Sequence, residues 1–178
     1  MRLLYGEHEL TIDDKNRMLV PATVRKALDP EVDGNGFYLV LDVHPVPFLY
    51  PEKYYENLLN GVPSGLLPDE TRIDFLHMAT GMIERVEWDS QGRILIPEKL
   101  MRRAEIAREV TVVGVKDHLE LWNRADWEAR REVVLARKAE IAEAMKVQWT
   151  TKPPPQRDAS QSQSQSESRL PPKDPAAE

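Results

Sequence analysis

The chain has 178 residues, no cysteine and a formal net charge of −6. That length suits one compact unit or two small ones, and the lack of cysteine excludes a disulfide framework or a thiolate metal site and fits a reducing compartment. The acidic balance excludes a uniformly basic nucleic-acid binder, so any basic surface must be a local patch; nor does any apolar run approach a signal-peptide core or the roughly 18 residues of a membrane span.

In chain order, Gly6–Ile12 reads as a strand, and Asp13–Asn16 as a tight polar turn. Arg17–Val20 is a short strand leaving that turn. Pro21 fits the first position of a helix, where a missing N–H costs nothing. Val24 and Leu28 fall on one side of that helix, and "LDP" at 28–30 stops it. Two apolar strand runs follow, "FYLVLDV" and "PFLYP". Helices are predicted over about 51–59 and 69–80, with Gly61 and Gly81 just past their ends.

The chain then repeats itself. "DDKNRMLVP" (Asp13–Pro21) returns as "DSQGRILIP" (Asp89–Pro97), 76 residues on. Around the second copy the same order of elements recurs. Met82–Trp88 is a strand, Asp89–Gly92 a turn, Arg93–Ile96 a strand, and Pro97 a helix start carrying Leu100 and Ala104. "EVTVVGV" and "HLELWN" follow as strands. Repetition of both motif and element order marks an internal duplication. Asn16 and Gly92 fill the same slot; they are the residue types that best tolerate the positive φ a hairpin turn requires. Residues 124–147 read as one longer helix with an apolar stripe of Trp127, Val134 and Ile141. From about Thr150, a Pro/Ser/Gln-rich stretch with one large apolar residue, Leu170, cannot offset its ordering entropy. Residues 150–178 are therefore predicted to be a disordered tail.

"GEHELTIDDKNRMLVPATVRKAL" and "WDSQGRILIPEKLMRRAEIAREVTVVGVKDHLELWNRADWE" resemble the two halves of the MraZ family, bacterial transcriptional regulators with two AbrB-like swapped-hairpin modules. The likeness covers about residues 1–148, and one position departs from it: Asn16 stands where the family's first motif has glycine. The resemblance implies an α+β fold of tandem AbrB-like β-barrel modules forming an intrachain pseudo-dimer with interleaved strands and peripheral helices. The corresponding division is 1–60 for the first module, 61–81 for a helical connector, 82–149 for the second module with its C-terminal helix, and 150–178 for the tail. It also implies a homo-oligomeric ring in the cytoplasm at the nucleoid. That ring would bind repeated sites in double-stranded promoter DNA, typically of the cell-division and cell-wall operon. No cofactor, membrane or small-molecule substrate is implied.

The candidate DNA-binding residues are Arg17 and Arg93, which stand at the exits of the two turns. A guanidinium forks onto guanine O6 and N7 or onto phosphate oxygens. Asp13 and Asp89 lie four residues earlier and would pair with these arginines instead; both roles hold if the aspartate orients the arginine. Lys15 and Gln91 sit in the turns as further contacts or as plain solvated residues. Asn16 and Gly92 shape the backbone. Arg25, Lys26, Arg102 and Arg103 on the short helices suit phosphates or form an ordinary charged helix face.

Asp13–Asp14 lacks the converging partners of a catalytic or Mg²⁺ site. His8, His44, His77 and His118 show no ligand spacing, and no phosphate loop or nucleophile motif is present. The chain is accordingly expected not to be an enzyme. Trp88, Trp122, Trp127 and Trp149 are core or interface candidates, and Trp122 and Trp127 answer to Tyr50 and Tyr55. The competing reading is an oligomeric scaffold or partner-binding protein in which the Arg–Asp pairs are purely structural.

Overall fold

The computed structural model describes residues 3–41, 45–62 and 70–151, with the side chains of 147–151 left out. His44, the Trp149 side chain and residues 152–178 lie outside the described residues. The chain divides after Val134 into two units.

The strands of the first unit are β1 (Glu7–Thr11), β2 (Arg17–Leu19), β3 (Gly36–Leu41), β4 (Pro47–Pro51), β5 (Glu84–Glu87), β6 (Arg93–Leu95), β7 (Glu109–Val115) and β8 (His118–Asn123). Its helices are α1 (Ala22–Ala27), α2 (Pro30–Asp33), α3 (Glu52–Asn60), α4 (Glu70–Leu76) and α5 (Glu98–Arg103). A π-helical turn (His77–Gly81) follows α4, and α6 (Arg124–Ala136) begins directly after β8. The fold is thus α+β, as expected.

The predicted strands form, but the two flanking each turn do not pair with each other. Six strands make one antiparallel sheet in the order β1-β7-β8-β4-β3-β5, and β2 and β6 make a separate two-stranded ribbon. Strand β1 of the first half therefore lies on β7 of the second, with Leu10 opposite Val110. Strand β5 of the second half lies on β3 of the first, with Val86 opposite Phe37. The sheet order maps onto itself when the halves are exchanged. In the ribbon, Met18 lies opposite Ile94, flanked by Arg17↔Leu95 and Leu19↔Arg93. A pseudo-twofold axis passes through that central pair.

The side-chain period of 2 decides which residues go in. Met18 and Ile94 are 1% and 0% exposed, whereas Leu19 and Leu95 are 46% and 57% exposed. The inward residues of the ribbon join Phe37, Leu39, Leu49, Val110, Val112, Leu119 and Leu121 of the sheet in one apolar cluster. Each such burial contributes roughly 1.5–3 kcal/mol relative to exposure. Both sheet edges carry charge, Glu7 and Glu9 on β1 and Glu84, Arg85 and Glu87 on β5, which discourages edge-to-edge pairing.

Three expectations are revised in detail. Pro21 and Pro97 cap α1 and α5 rather than occupying their first positions, with ψ still extended at 139° and 134°. The residues before them, Val20 and Ile96, donate to Gly92 O and Asn16 O across the ribbon. The chain is still strand-like there, and the helix starts one residue later. The helix expected over 69–80 is α4 followed by the π-helical turn, and Gly81 closes that turn instead of standing beyond it. The helix expected over 124–147 is two helices, α6 and α7 (Lys138–Thr151), separated at Arg137. Of its stripe, Val134 and Ile141 are each 38% exposed. Helix α7 belongs to the second unit and runs two residues into the stretch expected to be tail; the rest of that stretch lies outside the described residues.

The aromatic correspondence holds. Tyr50 and Tyr55 meet at 5.4 Å between ring centroids, and Trp122 and Trp127 at 5.7 Å, at the two equivalent strand-to-helix corners. Trp88 is part-buried with its ring edge-on to Phe37 at 5.5 Å.

Candidate nucleic-acid interface

Each turn is built by its first aspartate. Asp13 Oδ1 accepts from the backbone N–H of Lys15 at 2.9 Å and of Arg17 at 2.8 Å. Asp89 Oδ1 accepts from Gln91 at 2.9 Å and Arg93 at 3.0 Å. Short polar side chains hold turns in this way by substituting for backbone acceptors. The corner residues adopt left-handed backbone, φ 58° at Asn16 and φ 78° at Gly92. The asparagine therefore supports the same turn as the glycine.

The remaining carboxylate oxygen holds the arginine. Asp13 Oδ2 accepts from Arg17 Nε at 2.8 Å and lies 2.7 Å from its Nη2. Asp89 Oδ2 accepts from Arg93 Nε at 2.9 Å and Nη2 at 2.7 Å. Both halves thus realise the local Asp–Arg pair. A guanidinium carries a planar fork of five N–H groups. The pair occupies the Nε edge and leaves the Nη1 group and one Nη2 hydrogen facing away. That end can still fork onto guanine or phosphate, so pairing with the aspartate and contacting DNA are compatible geometries. Arg17 and Arg93 side chains are 33% and 28% exposed.

The side-chain bond from each arginine, followed by its backbone N–H bond, lowers the carboxyl pKa of Asp13 and Asp89 from 3.8 to about 2. For a depressed carboxyl, the stabilising contribution is present above the unfolded value of 3.8 and is lost as pH falls through about 2. Carboxyl-carbon NMR titration is expected to give midpoints near 2 for both residues and no change in either turn from neutral pH down to about pH 4. Midpoints near 3.8 would show that the pairs do not hold in solution.

The ribbon sets these parts side by side. Cross-strand partners share a face, so Arg17, Leu19, Arg93 and Leu95 all point outward. Arg17 and Arg93 are diagonal neighbours, roughly 7–8 Å apart along the backbone. The two exposed leucines were not singled out from the sequence; the period-2 alternation inside "RML" and "RIL" was the signal that points them outward.

Lys15 and Gln91 are exposed in their turns, and Lys26, Arg102 and Arg103 are exposed in the last turns of α1 and α5. Arg25 is exposed but engaged: its Nε donates to Val20 O at 3.1 Å and its guanidinium lies against the Cα of Gly92. Arg102 borders a shallow depression of about 360 Å³ beside Asn16, whereas Arg103 lines a different one with Trp122, Asn123 and Asp126. The four helix cations are therefore not one equivalent set. Arg108, which the sequence reading passed over, lies beside the first turn and donates through Nη1 to Asp13 O and, at 3.0 Å, to Asn16 Oδ1.

Among the described residues no group of three or more His, Asp or Glu converges as a metal site, and no helix is long and apolar enough to cross a membrane. Asp13 is committed to its turn and Asp14 is exposed.

The family model described as MraZ protein matches residues 80–146. A transcriptional regulator MraZ of Azoarcus sp. (strain BH72) is 32% identical over 136 residues, spanning 75% of this chain and 90% of the relative. One from Thermomicrobium roseum is 33% identical over 143 residues, 80% of this chain and 97% of the relative. One from Cytophaga hutchinsonii is 34% identical over 125 residues, 69% and 81%. The second copy of the turn, strand and helix start falls inside the matched family region, and the likeness to these relatives extends over most of both chains: this chain belongs to the MraZ family.

Proposed function

We propose that the chain is a sequence-specific DNA-binding transcriptional regulator whose two arginine turns contact repeated sites in promoter DNA. The observation that carries this reading is the β2–β6 ribbon, which sets Arg17 and Arg93 on one outward face about a pseudo-twofold axis. A separation of roughly 7–8 Å corresponds to about two base-pair steps of roughly 3.4 Å each. Both arginines then address one short stretch of duplex. Asp13 and Asp89 fix the direction of each guanidinium in advance, so little order has to be imposed on binding. Lys15, Gln91, Arg25, Lys26, Arg102 and Arg103 add turn contacts and phosphate attraction around the ribbon.

Residues 1–60 and 82–149 act in this reading as two modules joined by 61–81. The chain works in the cytoplasm at the nucleoid, as a homo-oligomeric ring on sites upstream of the cell-division and cell-wall operon. The ring addresses the charge problem. The Asp–Arg pairs leave each turn with little net charge, so a single module attracts DNA weakly, and several modules engaged on successive repeats multiply that affinity.

Purified full-length protein is expected to shift a duplex taken from directly upstream of its own gene at low salt, with affinity falling steeply as salt rises. Absence of any shift at low salt would transfer the case to a scaffold role, in which the Asp–Arg pairs serve the fold alone.

A further inference from the structure

The two turns are not held alike, although the repeat writes them alike. The first turn is clamped by Arg108, which comes from the second half of the chain and bonds Asp13 O and Asn16 Oδ1. The position related to Arg108 by the repeat is Asn35: Ile12 N–H donates to Arg108 O as Trp88 N–H donates to Asn35 O. Among the described residues, the Asn35 side chain makes no bond to the second turn. That turn is served instead by Arg25, which comes from the first half and lies against Gly92. The repeat partner of Arg25 is Met101, which has no charge to offer.

The corner residues match these arrangements. A Cβ on Gly92 would stand 2.6 Å from Arg25 Nε, so the second corner has no room for a side chain while Arg25 lies there. At the first corner the asparagine supplies the acceptor that Arg108 uses. Asn16 is thus one half of a cross-half bond as well as a residue that tolerates the turn. Arg108 is exposed, and among the described residues its Nε and Nη2 make no hydrogen bond. Holding so long a side chain in one place on the surface costs rotamer entropy. The two acceptors at the turn offset that cost and leave the other edge of the guanidinium pointing to solvent. Arg102 borders the same depression, as do Glu98 and Glu105.

We infer that Arg108 is a further residue of the DNA-binding surface: through Asn16 it holds the first turn in its contacting shape, and its open guanidinium edge takes a backbone phosphate beside that turn. This rests on the proposed DNA reading of the ribbon. It assigns Arg108 as a positioning and phosphate residue, with Arg17 remaining the group that meets the base edges.

The test compares full-length wild type, Arg108→Ala, Arg108→Gln, Asn16→Gly and the Arg108→Ala/Asn16→Gly double variant. Each is titrated over a range of salt onto the duplex from upstream of its own gene, after circular dichroism has shown it folded. Arg108→Ala is expected to weaken binding roughly tenfold, the scale of a charged hydrogen bond, and to flatten the log K against log salt slope by about 0.9, one phosphate. Arg108→Gln keeps a donor for the turn but no charge, so it should lose the slope and recover part of the affinity. Asn16→Gly should weaken wild type more than it weakens Arg108→Ala, because the two groups act through one bond. An unchanged salt slope in both Arg108 variants overturns the inference. If that happens while Arg17→Ala still weakens binding by roughly tenfold or more, the DNA reading stands without it. If wild type binds no duplex at low salt, both fall.

Discussion

Replacing both turn arginines, Arg17→Ala with Arg93→Ala, is expected to lower affinity for the upstream duplex by about 30- to 10⁴-fold, from roughly 1–3 kcal/mol for each forked contact. The protein should stay folded, because part-exposed ion pairs of this kind contribute little to stability and the turn backbone is still held by Asp13 and Asp89 Oδ1. Arg17→Lys separates charge from geometry. Lysine keeps the positive charge and the attraction to phosphate but has no planar fork. It should retain most of the salt dependence while losing preference for the cognate duplex over a scrambled one. The measurement is fluorescence anisotropy on both duplexes, with circular dichroism as the folding control. Wild-type affinity in the folded double variant would remove Arg17 and Arg93 from the site.

The second large effect lies beneath that surface. Ile94 and Met18 face each other at the centre of the ribbon, 0% and 1% exposed, where the halves of the chain cross. Ile94→Ala is expected to cost about 2–5 kcal/mol, the range for truncating a fully buried aliphatic side chain. For a chain of this size that is a fall of roughly 5–20 °C in Tm. Urea unfolding monitored by tryptophan fluorescence should show a lower midpoint at unchanged slope. DNA affinity should fall as well, since the ribbon that aligns Arg17 and Arg93 is loosened from both sides. Leu95→Ala, one residue along and exposed, is the matched control and should leave the midpoint nearly unchanged.

Much of this arrangement was legible in the residues. The duplicated "D-x-x-N/G-R" phrase located both turns. The shared slot of Asn16 and Gly92 foretold their left-handed backbone, and Tyr50/Tyr55 against Trp122/Trp127 foretold two equivalent corners. The exchange of strands did not follow from periodicity. A turn flanked by two strands reads as a local hairpin, and which strand pairs with which is settled by tertiary packing; only the family resemblance pointed to interleaving. The Asp–Arg question also needed coordinates, because residue spacing alone does not say which edge of a guanidinium an aspartate uses. Arg108 stayed hidden for a related reason. The spacing of the repeat is 76 residues at the turns and from Leu10 to Val86 but 73 from Phe37 to Val110, their strand partners, so a fixed offset sets Arg108 against the wrong partner. The break at Arg137 was not legible either, because the seven-residue stripe of Trp127, Val134 and Ile141 runs on across it without interruption.

In the proposed function the paired arginine turns read sequence rather than charge alone. The direct measurement is a competition titration at physiological salt between the duplex from upstream of the gene and a scrambled duplex of equal length and composition. Wild type is expected to prefer the upstream duplex by at least about 10³-fold, the lower end of specific over non-specific binding, and Arg17→Ala/Arg93→Ala to lose that preference. Equal affinity of wild type for the two duplexes would contradict it.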